Sequence, residues 1–136
     1  LSIHGNAYEN PDGSVATNVS GCTTYYCADR EFGEQNETFA DLVHEYVLEG
    51  FASIDYDIVD FGNLEDYDTL GGYLILLGPQ TDRIVRPSNA PGALDEPLFM
   101  TNPVEGIMMG EPKVQDMLAE AYFEAINAYF AIYPVE

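Results

Sequence analysis

The stretch Gly71-Gly72-Tyr73-Leu74-Ile75-Leu76-Leu77-Gly78-Pro79 constrains the fold more than any other. An apolar run this short, bounded by glycines, predicts a strand buried on both faces rather than a helix. Pro79 has no N–H to give a sheet ladder and closes the run. Such a strand needs covering layers, and two amphipathic stretches supply them. The first opens at Thr38-Phe39-Ala40-Asp41, a capping-box pattern with Asp in the place of Glu. It carries Phe39, Leu42, Val43, Tyr46, Val47 and Phe51 on one face, and Gly50 is its expected terminator. The second starts at Pro112, well suited to a first helical turn, and carries a stripe from Val114 through Met117, Leu118, Ala121, Tyr122, Ala125, Ile126 and Tyr129 to Phe130.

The remaining segments read as shorter pieces. Asn10-Pro11-Asp12-Gly13 is a type I turn signal between residues 3–8 and 15–19, so an N-terminal β-hairpin is expected. Residues 56–61 predict a strand centred on Ile58 and Val59, and residues 98–101 and 106–109 predict edge strands. Residues 21–35 read as irregular. The expected whole is a single α/β domain over residues 1–136, a mixed sheet whose buried central strand is covered by two helices.

Charge narrows the range of partners. Four basic residues face twenty-four acidic ones, for a formal charge of −20. Such a surface repels phosphate backbones and anionic lipid, which excludes nucleic-acid binding. Adaptation to brine and binding of calcium both account for the excess. No stretch of eighteen apolar residues is present to span a membrane. Cys22 and Cys27 are the only cysteines, and their close spacing predicts a disulfide and an oxidising compartment. Asn18-Val19-Ser20 and Asn36-Glu37-Thr38 are glycosylation sequons, so Asn18 and Asn36 are candidate glycan sites. These features predict an extracellular or cell-surface location for a chain that starts without a methionine.

Asp66-Tyr67-Asp68 ahead of the apolar run and Gly78-Pro79 after it resemble the entry and exit of the corresponding strand in flavodoxin-like chains. The run is also similar to a phrase found in archaeal surface-layer proteins, the likeness covering residues 55–82. The flavodoxin resemblance implies a bound cofactor, yet no Gly-x-Gly-x-x-Gly or lysine-bearing phosphate loop is present, so no cofactor is expected from the residues themselves. Calcium is the one ion the chain suits. Asp55, Asp57, Asp60, Glu65, Asp66 and Asp68 form its densest carboxylate segment, although the EF-hand spacing fails. Arg83 and Arg86, just beyond the expected central strand, are the one basic pair, placed to hold an anion or a neighbour's carboxylate. His4 and His44 are isolated in sequence and carry no metal spacing.

No catalytic constellation stands out. The reading that follows is a non-enzymatic surface module that self-associates or joins other surface proteins, as in a surface layer or filament. A flavodoxin-like redox domain or small enzyme is the alternative.

Overall fold

The computed structural model describes residues 1–134. In chain order the elements are β1 (Ser2–Ile3), β2 (Cys22–Tyr26), α1 (Gly33–Ser53), β3 (Asp60–Glu65), α2 (Asp66–Leu70), β4 (Leu94–Glu96), α3 (Pro103–Met108) and α4 (Pro112–Ile132). The strands form one mixed sheet in the order β1-β4-β2-β3. β1 runs parallel to β4, β2 parallel to β3, and β2 antiparallel to β4. The expected α/β class and mixed sheet are present.

Both long helices lie on one face of that sheet. α1 buries Phe39, Ala40, Val43, Val47 and Phe51, and α4 buries Val114, Ala121, Tyr122, Ala125 and Tyr129, each set at the three- and four-residue spacing of one helix stripe. Phe39 and Tyr129 meet with ring centroids 4.9 Å apart. At Gly50 the helices come so close that any Cβ would meet the Met117 sulfur. That glycine therefore serves packing, not termination, and α1 runs on to Ser53. The helix also starts earlier than expected, at Gly33; Thr38 is interior, its hydroxyl donating to the Glu34 carbonyl at 2.9 Å.

The central strand is not where the apolar run predicts it. Residues 73–78 form no strand: Leu77 and Gly78 donate back to the Leu74 carbonyl at 3.1 and 2.8 Å in a tight turn, and Ile75 and Leu76 are exposed. The strands with neighbours on both sides are β4 and β2, and the longer of them is β2, Cys22-Thr23-Thr24-Tyr25-Tyr26, whose β-branched and aromatic residues suit a pleated surface. It lies in the segment expected to be irregular. The apolar run instead lies against the helix-free face, where Leu77, Leu74 and Tyr73 pack with Leu94, Tyr25 and Cys27. Arg30 fastens this cover, donating to the Leu77 carbonyl at 2.6 Å and to Ser88.

Three further expectations change. The N-terminal turn forms, with Ala16 N donating to Tyr8 O at 2.9 Å, but it supports one isolated bridge, Glu9 to Val15, while Ser2 and Ile3 join the main sheet. Residues 106–108 are helical, because Asn102 caps α3 through its side chain and Pro103 sits in the first turn. Cys22 and Cys27 are free. They stand at opposite ends of β2, about 16 Å apart at the rise of an extended strand, whereas a disulfide needs Cα atoms within roughly 7 Å. Cys22 packs under the helices and Cys27 against the covering loop, so they also face opposite ways.

Candidate active site on the open face of the sheet

Strand parity decides which side chains reach the helix-free face. Asp95 points toward α4, where its Oδ2 accepts from the Tyr122 hydroxyl at 2.7 Å. Its neighbours Leu94 and Glu96 therefore point to the open face. β1 and β4 pair Ser2 with Leu94 and Ile3 with Asp95, and the ladder continues with His4 N donating to Asp95 O at 2.9 Å. This register sets His4 beside Glu96. On the other side Glu96 pairs with Thr23 of β2. His4 and Glu96 thus meet at the carboxyl ends of two parallel strands, the end at which open α/β sheets place their ligands.

The electrostatics agree with that proximity. Desolvation raises the Glu96 carboxyl above its ordinary value, the His4 imidazole counteracts the rise, and Asp95 adds to it. Two hollows flank the pair. One, of about 710 Å³, is lined by Glu96, Thr23, Tyr25, Asn6, Phe61 and Phe99 among others. The other, of about 290 Å³, is lined by His4, Leu94, Arg83 and the turn from Tyr73 to Leu76. An extended substrate lying across the sheet would pass over His4 and Glu96 between them.

Behind the sheet lies a second polar group that substrate cannot reach. Thr24 Oγ1 donates to Asp95 Oδ1 at 2.7 Å and lies 3.1 Å from His44 Nδ1, while His44 Nε2 is 2.8 Å from Asp60 Oδ1. Cys22 Sγ is 3.9 Å from His44 Nδ1 and 4.0 Å from Asp95 Oδ1. The ligand atoms of Cys22, His44 and Asp95 are close enough together to hold a metal. All three residues are buried under the helices, and Thr24 fills the space between imidazole and carboxylate. Burial, then the negative charges of Asp95, Asp60 and Glu105, push the Cys22 thiol far up, so it stays protonated. The group is a hydrogen-bonded brace, not a reaction centre.

A match to the N-acetylmuramoyl-L-alanine amidase family model covers residues 1–128. The chain belongs to that family. Among solved structures, an amidase from Clostridium difficile 630 is similar at 25% identity and TM-score 0.68, over 96% of this chain and 56% of that one. The amidase AmiC2 of Nostoc punctiforme is 21% identical with TM-score 0.66, over 96% of this chain and 56% of its own. The catalytic domain of CwlV from Bacillus (Paenibacillus) polymyxa is 19% identical with TM-score 0.63, over the same shares. The chain thus spans about half the length of these solved enzymes. No curated protein matches it.

The amidase family replaces the flavodoxin and surface-layer resemblances, and an enzyme family replaces the structural, self-assembling module. Of the predicted site residues, the calcium segment disperses. Asp55, at positive φ, and Asp57 are exposed before β3, and Asp60 bonds His44. Glu65 and Asp66 turn toward Cys27, and Asp68 lies in α2 with its backbone N–H donating to Glu65. Asn36 is buried, its amide donating to Cys27 O and accepting from Gly92 N at 2.8 Å each, which leaves no room for a glycan; Asn18 is exposed. Arg83 and Arg86 are exposed and, among the described residues, make no ion pair with a carboxylate. His4 and Glu96 escape the sequence reading because they are far apart in the chain. A His directly after a short apolar β segment was the available signal.

Proposed function

We propose that this amidase-family chain contributes to hydrolysis of the amide bond between N-acetylmuramic acid and L-alanine in peptidoglycan. The observation that carries the reading is the pairing of His4 with Glu96 on the open face, flanked by two hollows. Enzymes of this family are typically zinc-dependent. Zinc, when bound, polarises the amide carbonyl and lowers the pKa of its water. A catalytic zinc takes three protein donors plus water, and the His4 imidazole fits the role of one of them. Glu96 is suited to accept a proton from the attacking water, because its raised carboxyl lies nearer the operating pH than a free glutamate. The same carboxyl then returns the proton to the departing α-amine of L-alanine. Tyr25 and Thr23 wall the carboxylate on the β2 side and limit its solvation. An enzyme acting on peptidoglycan works outside the cytoplasm, and no helix of the described residues is long and apolar enough to cross a membrane.

The test is the release of free L-alanine α-amines from purified peptidoglycan by protein carrying this chain. Glu96→Gln, which keeps the shape and removes the base, lowers kcat by about a hundredfold or more with little change in KM. Equal kcat in wild type and Glu96→Gln would refute the assignment.

A further inference from the structure

We propose that Cys27, Glu65 and Asp66 form a metal site separate from the open face, one that takes a divalent ion of the zinc class. The parallel register of β2 and β3 ends with Tyr26 opposite Glu65, which brings Cys27 and Asp66 together just beyond it. One ligand atom from each of the three residues lies within 4.8 Å of the others. Cys27 and Asp66 are both 0% exposed, while Glu65 is half-buried and leaves a way in.

The second observation is an orphan. Asp66 Oδ2 accepts from Leu74 N at 2.9 Å, but Oδ1 has no hydrogen-bond partner. A buried carboxylate oxygen without a donor costs free energy, and native proteins rarely leave one so. Neither Glu65 nor Asp66 has an ion-pair partner among the described residues. The brace around Asp95 differs on this point, since both its carboxylate oxygens are partnered.

The donor set selects the ion. A thiolate with two carboxylates suits zinc and its neighbours, whereas calcium and magnesium avoid sulfur. Binding forms a metal–sulfur bond and releases the thiol proton to solvent, with no change of oxidation state. Because binding releases that proton, affinity rises with pH. An ion here would tie the ends of β2 and β3 to the backbone at Leu74. Leu74 lines the hollow beside His4, so the site would steady the cover over the open face.

Cobalt titration tests this without any activity measurement. Co²⁺ bound by a thiolate gives a charge-transfer band in the near ultraviolet that oxygen and nitrogen ligands do not. The band is expected in wild type at one equivalent, unchanged in Cys22→Ser and His4→Ala, and absent in Cys27→Ser. Asp66→Asn, nearly isosteric, should weaken Co²⁺ binding by at least about tenfold, and it decides the matter if Cys27→Ser does not fold. No band in wild type, a band that survives in Cys27→Ser, a band lost in Cys22→Ser, or unchanged affinity in Asp66→Asn would each overturn the proposal.

Discussion

Glu105 is the side chain whose loss should cost most for its size. It is 0% exposed, and its Oε1 accepts from Gly21 N and from the Tyr56 hydroxyl at 3.0 Å each, while Oε2 accepts from Phe99 N at 2.7 Å. It joins the chain ahead of β2, the approach to β3 and the segment after β4. Two effects oppose one another on its removal. Burying a charge is expensive, and an apolar replacement can be neutral when both partners of a pair go together. Here two of the three donors are backbone N–H groups, which no substitution at position 105 removes and which stay buried. The cost of stranding those two donors therefore outweighs any relief from removing the buried carboxylate. A hydrogen bond to a charged group is worth about 1.5–3 kcal/mol, so three of them set the cost of Glu105→Ala at about 5 kcal/mol or more. That approaches the whole stability of a small domain, about 5–15 kcal/mol. Glu105→Gln keeps the shape but turns one acceptor into a donor facing a donor, for about 2–4 kcal/mol. Urea unfolding followed by circular dichroism reads this as a lower midpoint at unchanged slope. A Glu105→Gln protein within about 1 kcal/mol of wild type would show that these bonds do not brace the sheet.

Asp95 gives a pH signature: burial raises its carboxyl from 3.8 to about 6, against the hydrogen bonds from Thr24 and Tyr122. The native state then binds this proton more tightly than the unfolded one, so its contribution is fully present below pH 4 and is lost as pH rises toward 6. The difference is about 3 kcal/mol, and Asp95→Asn should flatten stability over that window relative to wild type. Gly21 has φ +146, and a Cβ there would lie 2.5 Å from the Phe61 ring and 2.6 Å from the Val59 carbonyl; Gly21→Ala should lower the unfolding free energy by about 3 kcal/mol in the same urea assay. Intact mass spectrometry of freshly isolated protein, denatured without reductant and alkylated, should show two added groups; a protein two protons lighter and unmodified would restore the disulfide.

The helices were legible because each writes a long stripe at one period, and tertiary packing only had to agree with it. Their ends were less so: Thr38 carries a cap's chemistry but lies in mid-helix, since the chain had already turned at Gly33. The sheet was read in the wrong place. Five residues of β2 look like a polar loop because Thr23, Thr24 and Tyr26 find their hydrogen-bond partners in groups distant in sequence. The run at 73–78 is more apolar than β2, yet local hydrophobicity does not distinguish a strand from a turn packed on a sheet. The site was hidden for a related reason. His4 and Glu96 have no shared spacing, and only the pairing of β1 with β4 makes them neighbours.

β1 is two residues long and lies at the edge of the sheet, held by its pairing with β4. Closing that pair means closing almost the widest loop this chain contains, an entropic step repaid only once the strands between are in place. A partly folded chain therefore holds Glu96 without His4. On the proposed function, the two residues that would act on the substrate are therefore brought together last, with the finished molecule. The same short edge also opens first when the fold is stressed, so separation of His4 from Glu96 on warming should precede the loss of helix.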